Sequence, residues 1–475
     1  MKVCLICEGS YPYVAGGVAG WVQMLCENLA DIEFVIWSIA TTREEMSRYQ
    51  YELPPNVVDV KTIWLGADVF YSNRTIRLSA GEANILRELV TDSETPVDWQ
   101  KTLEFIRKYH GKLADILLGK DFYNICLDEY RRMNETESFV DFLWNFRAMY
   151  FPFMNVMKEE LVEADIYHSL STGYAGILGS LASYIRKKPF LLSEHGIYTR
   201  EREEDIIRSD WVKGNFKEIW IDFFKKISLI AYHQADVVTS LFSVNQTMQI
   251  ELGCPAEKIR IIPNGVAVEE YENLVPKNRQ KKAYFHIGTM LRVVPIKDVK
   301  TMLLAFEIVQ EQMADAYLSI LGGVDEDPEY YRECLEMVHA LSLKNVEFLG
   351  RVDVKEYLPD IDLLLLSSIS EGQPLAVLEG MAAGVPFVCT NVGDCKSLLE
   401  GNDGDDLGSA GYIVPVMDSR AMADAILYLA RHPQKREKMG ETGKKRAATY
   451  YQKHVFLEKY RELYQSLGEE KAWQG

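Results

Sequence analysis

The feature that most constrains this chain is the alternation of short apolar runs with segments of helical pattern. The apolar runs occupy residues 3–6, 33–38, 166–169, 190–193 and 237–240 in the first half, and residues 318–321, 346–349, 363–366 and 387–390 in the second. Strands that are buried on both faces have continuous apolar sequences, and parallel strands need crossover helices between them. The sequence therefore predicts an α/β protein built on parallel sheets.

The length and the charge of the chain agree with this prediction and exclude one class of partner. A chain of 475 residues, 48% of them hydrophobic, is too long for a single core and is expected to form two domains. The formal net charge is −18, and the sequence contains no long basic run. We therefore expect no nucleic-acid partner.

The amino-terminal sequence does not resemble a secretory signal. Its apolar run is only five residues long, and no stretch of about 20 apolar residues occurs elsewhere. We therefore expect a cytoplasmic protein with reduced thiols. Cys4 and Cys7 have Cys-x2-Cys spacing, but they lie in a predicted core strand without a second Cys or His pair. Buried thiols are expected there in preference to a metal or redox site.

Changes of composition divide the chain into segments. Residues 1–275 are expected to form an amino-terminal domain, with a mostly helical insertion at about 41–157 that is rich in charged and aromatic residues. The polar stretch 269–282 is typical of an interdomain linker, and residues 276–450 are expected to form the second domain. Apolar residues at helical spacing predict a terminal helix within 451–475, namely Phe456, Tyr460, Leu463, Tyr464 and Leu467.

Two glutamates eight positions apart indicate sugar chemistry. Glu371 follows the apolar run 363–366, and Glu379 lies a little over two turns further on, in the helix predicted at 376–383. Open α/β sheets bind ligands where a strand passes into a helix, because first-turn N–H groups remain unpaired there. Both carboxylates are therefore expected at one crevice, each with a different hydroxyl-bearing partner. Two solvated surface glutamates are the alternative.

A pair of cations lies about eighty positions earlier. Arg292 and Lys297 follow a predicted strand and flank the rigid Pro295. A guanidinium with an ammonium nearby can stabilise the charge that develops on a leaving diphosphate. Ordinary loop cations are the alternative. The combination with Glu371 and Glu379 in one α/β half favours a nucleotide-sugar site.

Together these motifs resemble the retaining glycosyltransferases of family 4. The resemblance covers most of the chain and implies the GT-B fold, in which two Rossmann-like domains face each other. It also implies that the terminal helix of residues 451–475 packs back on the amino-terminal domain. More narrowly, residues 7–13 and 193–202 are similar to the PelF family, the cytoplasmic glycosyltransferases of Pel exopolysaccharide synthesis. The motifs that carry the family resemblance are Gly16-Gly17-Val18, Glu194-His195-Gly196, Pro263-Asn264-Gly265-Val266, Arg292 with Lys297, and Glu371 with Glu379.

The resemblance implies a role for each candidate residue. His195 would orient the donor sugar without acting as a general base. Arg292 and Lys297 would stabilise the leaving diphosphate, while Glu371 and Glu379 would accept hydrogen bonds from the donor sugar and from the ribose. Other contacts are implied for Gly16 and Gly17 with the diphosphate or the acceptor, for the main chain at Arg351 and Val352 with the base, and for the N–H groups of Leu375 and Ala376 with the diphosphate.

Three local features qualify this interpretation. Gly16-Gly17 does not fit the Gly-x-Gly-x-x-Gly dinucleotide pattern, which argues against an oxidoreductase. At Gln373-Pro374, where many relatives carry an aromatic residue and glycine, proline removes one N–H donor. The acidic motifs 325–327 and 403–405 lie in polar loops and are expected to be solvated turns, so we predict an enzyme that needs neither a metal nor a cofactor.

The function implied by the resemblance is transfer of a hexose or N-acetylhexosamine from a UDP-sugar to a polysaccharide hydroxyl, with retention of configuration. The donor stays open among UDP-glucose, UDP-N-acetylglucosamine and UDP-N-acetylgalactosamine. Inner-membrane Pel synthase and export proteins are implied partners that would recruit the enzyme to the membrane. A nucleotide-sugar epimerase and a non-catalytic nucleotide-sugar-binding subunit are the alternatives.

Overall fold

The chain folds into two compact units. A computed structural model describes residues 1–41, 48–65, 76–91, 95–109, 113–133, 137–275, 284–402 and 404–472. The first unit consists of Met1–Ile261 with Tyr460–Gly475, and the second consists of Ile262–Lys459. Each unit is built on one parallel sheet with helices packed against it.

The sheet of the first unit has seven strands in the described residues, all paired in parallel. They are β1 (Lys2–Glu8), β2 (Glu33–Ala40), β3 (Val57–Trp64), β4 (Ile166–Ser169), β5 (Phe190–Glu194), β6 (Val237–Ser240) and β7 (Ile259–Ile261). They lie side by side in the order β3-β2-β1-β4-β5-β6-β7. The register runs from Lys2↔Glu33 to Glu8↔Ile39 between β1 and β2.

Helices connect these strands. In the sequence, five of the described helices lie between β3 and β4, and they pack together as one layer. The helices of the first unit are α1 (Gly17–Asn28), α2 (Ala80–Val90), α3 (Trp99–Lys108), α4 (Leu113–Leu117), α5 (Lys120–Arg132), α6 (Phe139–Lys158), α7 (Tyr174–Arg186), α8 (Tyr198–Arg208), α9 (Phe216–Gln234) and α10 (Ser243–Glu251). The layer α2–α6 shares its hydrophobic core with the sheet.

The second unit repeats the plan with six parallel strands among its described residues. The strands are β8 (His286–Met290), β9 (Tyr317–Leu321), β10 (Val346–Gly350), β11 (Leu363–Leu366), β12 (Phe387–Thr390) and β13 (Gly411–Val414). Their order is β10-β9-β8-β11-β12-β13. The helices are α11 (Val299–Gln312), α12 (Pro328–Ala340), α13 (Leu375–Ala382), α14 (Cys395–Glu400), α15 (Ser419–Arg431), α16 (Pro433–Tyr450) and α17 (Lys453–Ala472), the last of which continues into the first unit.

Strand β11 shows why a run of four leucines forms a central strand. Leu363 and Leu365 pack into one hydrophobic cluster, and Leu364 and Leu366 pack into another. All four are at most 2% exposed. Because successive side chains of a strand point to opposite faces, only a continuous apolar run can satisfy a strand that is covered on both faces.

Three strands were not predicted from the sequence: β3, β7 and β13. The first of these lies inside the insertion predicted at about 41–157, which is otherwise helical where it is described (α2–α6). Strand β3 continues the sheet by pairing with β2 from Phe34↔Val57 to Ala40↔Trp64. Only one of its eight residues, Ile63, is buried, and the other seven are partly or fully exposed at this sheet edge. An edge strand of this kind lacks the continuous apolar run that marks the central strands.

The predicted linker 269–282 begins inside the second unit, and its residues 276–282 lie outside the described residues. Just before it, the Val266 N–H donates to the Tyr451 carbonyl at 2.8 Å, and the Lys453 N–H donates to the Val266 carbonyl at 3.0 Å. Gly265 permits this crossing, since a Cβ there would lie 2.7 Å from the Lys453 Cα. The units therefore separate at Ile262 and at Lys459, and not at the predicted residues 275 and 450.

The end of α17 is bound into the core of the first unit. The Tyr464 hydroxyl lies 2.7 Å from His168 Nδ1, and the Tyr460 hydroxyl lies 3.1 Å from both Ser193 Oγ and Thr239 Oγ1. Burial lowers the pKa of His168 to about 3, so its ring is neutral and can accept a hydrogen bond as well as donate one. The predicted aromatic face of this helix is buried at Tyr460 and Tyr464.

Arg446 of α16 is a fully buried charge that holds a loop of the second unit. Its guanidinium donates to Asp405 at 2.6 and 3.2 Å and to the Leu399 carbonyl at 2.8 Å. The same pair lowers the pKa of Asp405. Asp405 therefore has a structural partner within the second predicted acidic motif, whereas Asp403 lies outside the described residues.

We expect Arg446→Ala to destabilise the second unit by about 3–5 kcal/mol, because it leaves Asp405 buried without its counter-ion. The control is Arg420→Ala, which removes an exposed pair with Asp424 at 3.3 Å and should cost less than about 1 kcal/mol. Urea unfolding followed by far-UV circular dichroism measures both.

Residues 262–459 contain no tryptophan, so tryptophan fluorescence reports on the first unit alone. We expect the fluorescence transition of Arg446→Ala to stay close to that of the wild type. Equal circular-dichroism shifts for the two arginine variants would contradict the structural role of Arg446.

Candidate active site

The carboxyl ends of the strands in the second sheet hold most of the candidate residues. Arg292 follows β8, Arg351 and Val352 follow β10, and Glu371 follows β11. Because parallel strands end at the same edge of a sheet, these residues share one edge of the second unit. The main chain turns sharply before Arg351, where Gly350 has φ 67°.

The loop that carries Arg292 is fixed to the loop after β9. The Leu291 N–H donates to the Leu321 carbonyl and the Val293 N–H to the Gly323 carbonyl, both at 2.9 Å. Gly322 makes this approach possible, since its φ is 151° and a Cβ there would lie 1.7 Å from the Leu291 oxygen. Sequence reasoning missed this glycine, although a Gly-Gly pair directly after a predicted strand is a detectable signal.

The acidic motif 325–327 forms ion pairs with the two arginines of this edge. Arg292 donates to the Glu326 carboxylate, and Arg351 donates to Asp325 at 3.1 Å. Asp327 accepts the Tyr330 N–H at 2.9 Å and so caps α12. Within the described part of the chain, no group of three or more His, Cys, Asp or Glu side chains could hold a metal ion. Metal independence stays a prediction.

Lys297 and Glu371 form an ion pair at the centre of the edge, although they are 74 residues apart. Lys297 Nζ lies 2.5 Å from Glu371 Oε1, and the Ser368 hydroxyl donates to the same oxygen at 2.6 Å. The side chains of Lys297 and Glu371 are only 17% and 11% exposed. The structure therefore joins two residues to which the sequence assigned separate ligand groups.

Asp298 places Lys297 by an unusual backbone conformation. It has φ 46°, in the left-handed region, and its carboxylate accepts the Thr301 N–H at 3.2 Å as the cap of α11. A non-glycine residue in this region stores about 1 kcal/mol or more of strain, which is frequent at functional sites. Asp298 was not among the predicted site residues.

Gln373 and Gly393 hold the loop that carries Glu371. The Gln373 amide accepts the Asn264 N–H and donates to Asp394, both at 2.6 Å, and it is 5% exposed. Gly393 has φ 50°, and a Cβ there would lie 2.2 Å from the Gly372 oxygen. Burial raises the pKa of Asp394 to about 6. Gln373, where the sequence departs from the pattern of the resembled family, therefore links the loop of Glu371 to Asn264 and to Asp394.

Helix α13 begins beside this loop, with Pro374 at its amino-terminal cap. Proline is suited to that position because the first N–H groups of a helix have no intrahelical acceptor. The N–H groups of Leu375 and Ala376 lie in this first turn, where the helix dipole is positive. The end of α13 can therefore receive an anionic group.

Glu379 lies further along α13, against Tyr271 and Lys355. Burial raises the pKa of Glu379 to about 7, although the Lys355 ammonium and a hydrogen bond from Tyr271 lower it. Lys355 also pairs with Glu270 and lies 5.4 Å from the centre of the Tyr271 ring. Sequence reasoning missed Tyr271, because it lies in the stretch that was predicted to be a linker.

In the first unit, Gly16 and Gly17 begin α1. Gly16 has an extended backbone with φ 170°, and its N–H donates to the Tyr51 hydroxyl at 3.4 Å. A Cβ at either glycine would meet no atom within 4 Å. The two glycines therefore leave the helix terminus open, as the approach of a ligand to the backbone requires.

His195 follows β5 and packs against α1. Its ring lies edge-on to Trp21, with 4.7 Å between the ring centres. Burial lowers the pKa of His195 to about 4, so the imidazole is neutral at physiological pH. Its Nε2 atom is buried and has no hydrogen-bond partner among the described residues. A neutral ring with such an atom suits a hydrogen bond to a ligand.

Other predicted motif residues have structural roles. Glu194 is 2% exposed and accepts hydrogen bonds from Tyr232 at 2.7 Å and from Gln249 at 3.0 Å. Cys4 and Cys7 are fully buried in β1, and burial raises the pKa of both thiols. Their prediction as buried thiols is confirmed. In the described part of the chain, no helix combines the length and the apolar character that crossing a bilayer requires.

The candidate residues fall into two groups, each within its own unit. The group in the first unit is Gly16, Gly17 and His195. The group in the second unit is Arg292, Lys297, Arg351, Val352, Glu371, Leu375, Ala376 and Glu379.

Family models match both halves of the chain. Residues 1–257 match the domain of unknown function DUF3492, and residues 281–432 match the glycosyl transferases group 1. The first match covers more than half of the 475 residues.

Curated relatives match parts of the chain. It is 29% identical over 244 residues to N-acetyl-alpha-D-glucosaminyl L-malate synthase of Bacillus anthracis, which covers 49% of this chain and 60% of that protein. It is 26% identical over 206 residues to the amylovoran biosynthesis glycosyltransferase AmsK of Erwinia amylovora, covering 42% and 49%. It is 22% identical over 309 residues to the capsular polysaccharide biosynthesis glycosyltransferase CapM of Staphylococcus aureus, covering 62% and 74%.

Solved structures share the fold along nearly the whole chain. Anabaena HepE in complex with UDP-glucose has a TM-score of 0.62 at 16% identity, covering 98% of this chain and 100% of HepE. Sucrose-phosphate synthase from Thermosynechococcus elongatus has a TM-score of 0.60 at 16% identity, covering 98% of each chain. The predicted GT-B fold of two Rossmann-like domains is confirmed. The chain therefore belongs to the DUF3492 family, and its residues 281–432 match the group 1 glycosyl transferases.

Proposed function

We propose that this protein is a retaining glycosyltransferase that moves a hexose or N-acetylhexosamine from a UDP-sugar to a growing polysaccharide, in Pel exopolysaccharide synthesis. The observation that carries the proposal is the Lys297–Glu371 pair, 2.5 Å apart, on the sheet edge where α13 begins. The roles that the names of AmsK and CapM give to these relatives support a polysaccharide product, and the UDP-glucose complex of HepE supports a UDP-sugar donor.

The donor diphosphate would bind among positive groups. Arg292 and Lys297 supply two full charges, and the N–H groups of Leu375 and Ala376 supply the positive end of a helix. In the free protein both cations are paired with carboxylates, Glu326 and Glu371. A diphosphate would compete with these carboxylates for the same donors. The leaving group then needs no metal ion, because its charge is met by side chains and main-chain dipoles.

The carboxylates would recognise hydroxyl groups. Glu371 is oriented by Lys297 and Ser368, and its Oε2 atom takes part in neither of those two bonds. It would accept a hydrogen bond from the donor sugar, while Glu379 would accept hydrogen bonds from the ribose. The main chain at Arg351 and Val352 would contact the base.

The reaction we propose breaks one C–O bond and makes another at the same carbon. The bond between the anomeric carbon and the β-phosphate oxygen breaks, and the acceptor hydroxyl attacks from the face on which the diphosphate leaves. The departing phosphate oxygen takes the hydroxyl proton. His195 would orient the donor sugar through a hydrogen bond, as its neutral imidazole allows. Retention at the anomeric carbon rests on the resemblance to family 4.

The cellular setting belongs to the same proposal. We place the enzyme in the cytoplasm, recruited to the inner face of the membrane by Pel synthase and export proteins. The resemblance of residues 7–13 and 193–202 to the PelF family supports this setting.

The first test is nucleotide release from UDP-glucose, UDP-N-acetylglucosamine and UDP-N-acetylgalactosamine in the presence of EDTA. We expect release from one of the three donors, and a loss of roughly 10²-fold in Lys297→Ala, because a charged partner of the leaving diphosphate is removed. The control is Lys300→Ala, whose side chain is 40% exposed and pairs with Glu333 at 2.7 Å. This variant should keep the wild-type rate.

The outcomes separate the competing functions. Release that EDTA abolishes and Mg²⁺ restores would contradict metal independence. Conversion of the donor into its epimer would indicate an epimerase, and binding without release would indicate a binding subunit. The proposal is refuted if the protein binds none of the three donors.

The second test is the pH dependence of UDP-glucose binding, measured by calorimetry. We expect the affinity to rise about tenfold from pH 6 to pH 8, because the ribose hydroxyls bind the ionised Glu379, whose pKa is raised to about 7. Below this pKa the carboxyl is protonated, so binding must first remove a proton. The diphosphate diester itself does not titrate in this range.

Glu379→Gln is the matched control for this test, since it keeps the size of the side chain but cannot ionise. Its affinity should be independent of pH over the same range. A wild-type affinity that is already flat would refute the assignment of Glu379 to the ribose.

A further inference from the structure

Residues 7–13 and 193–202, which the proposed donor site does not use apart from His195, meet at the carboxyl edge of the first sheet. Glu8 is the last residue of β1 and Tyr198 is the first residue of α8. The Tyr198 hydroxyl donates to Glu8 Oε1 at 3.0 Å across 190 residues of sequence. Gly173 makes room for this contact, because a Cβ there would lie 2.3 Å from the Tyr198 ring. The contact between Tyr198 and Glu8 therefore depends on the glycine at position 173.

The second oxygen of Glu8 is fixed as well. Its Oε2 atom accepts the Ala175 N–H at 3.1 Å and the Ser171 hydroxyl at 3.3 Å. Burial raises the pKa of Glu8, and these bonds, with the Tyr198 hydroxyl and the nearby Arg202, act against the shift. Glu8 therefore holds Tyr198 and the start of α7 in place.

Arg202 lies one turn beyond Tyr198 on α8. Its guanidinium is 5.4 Å from the centre of the Tyr198 ring, and its Nη2 atom pairs with Asp205 at 2.9 Å. The Nε atom is buried and lacks a hydrogen-bond partner among the described residues, while the side chain as a whole is 39% exposed. Arg202 therefore has donor capacity that the described protein groups leave unused.

Buried polar atoms without hydrogen-bond partners cluster in this segment. Among the described residues, His195 Nε2, Thr199 Oγ1 and Arg202 Nε are all buried side-chain atoms without a hydrogen-bond partner. They lie within eight consecutive residues. Buried polar atoms without partners are rare in folded proteins and often mark a place where a ligand supplies the missing oxygen.

The charge around Arg202 indicates the class of ligand. The carboxylates of Glu8, Glu201 and Asp205 all interact with it. Glu201 is folded back on the loop, since a Cβ at Gly196 would lie 2.0 Å from its Oε1 atom. An anionic ligand would be repelled by the three carboxylates. A neutral sugar can accept hydrogen bonds from the guanidinium and donate hydrogen bonds to a carboxylate through its hydroxyls.

We propose that Glu8, Tyr198, Glu201 and Arg202 form the subsite that binds the acceptor saccharide, and that it takes a neutral sugar. Arg202 and Glu201 contact the sugar hydroxyls, while Tyr198 and Glu8 are positioning residues. This inference rests on the proposed function and adds to it the class of acceptor and the residues that select it.

The test is saccharide binding to the full chain in the presence of UDP, followed by saturation-transfer NMR. The probes are two neutral disaccharides, cellobiose and N,N′-diacetylchitobiose, and one anionic disaccharide, digalacturonic acid. We expect binding of a neutral probe to weaken about tenfold in Arg202→Gln, because a charged donor is lost. Arg202→Lys should weaken it similarly, because it keeps the charge but lacks the Nε–H.

The positioning role is tested by Tyr198→Phe, which removes only the hydroxyl that reaches Glu8. We expect weaker saccharide binding with the affinity for UDP unchanged, a combination that general misfolding would not produce. The matched control is Tyr184→Phe, which removes a hydroxyl bonded to Glu104 at 2.9 Å on the exposed surface. This variant should bind both ligands as the wild type does.

The outcomes distinguish this inference from the proposed function. If the wild type binds a neutral saccharide but does not bind UDP, the donor assignment is refuted and the saccharide subsite is still supported. The subsite is overturned if the wild type binds neither neutral probe, if Arg202→Gln binds them equally well, or if digalacturonic acid binds more tightly.

Discussion

Parallel pairing of strands brings all their carboxyl ends to one edge of a sheet, and both candidate sites depend on that constraint. In the second unit it unites Arg292 after β8 with Glu371 after β11, and in the first unit it unites Glu8, the last residue of β1, with His195 after β5. The pairing is stable because both faces of each sheet are covered by apolar side chains. The charged residues of both candidate sites therefore lie at or beyond the strand ends.

The candidate donor site contains cations although the protein as a whole is acidic. The chain has a formal net charge of −18, so an anionic diphosphate needs local cations. Lys297 and Arg292 provide them, and each is held by a carboxylate in the free protein, Glu371 and Glu326. Such pairing keeps the long side chains ordered before a ligand arrives, which lowers the entropy that binding must overcome.

Asn264 and Glu194, which belong to the motifs that carry the family resemblance, make hydrogen bonds that hold the fold. Asn264 and Gln373 hold each other through two hydrogen bonds at 2.6 and 3.2 Å, and Glu194 accepts hydrogen bonds from buried Tyr232 and Gln249. A motif in sequence therefore mixes groups that contact a substrate with groups that hold the loops in position, and only the hydrogen-bond partners separate the two.

The sequence by itself determined the two parallel-sheet units, because continuous apolar runs such as Leu363–Leu366 can form only strands covered on both faces in this context. It also predicted Arg292, Lys297, Glu371 and Glu379 as candidate site residues, because their positions follow the predicted strand-to-helix turns. Only the tertiary structure decided what depends on contacts between distant segments. Edge strand β3, Tyr271 beside Glu379, and Tyr198 on Glu8 across 190 residues have no local signal, since each is defined by a partner far away in the chain.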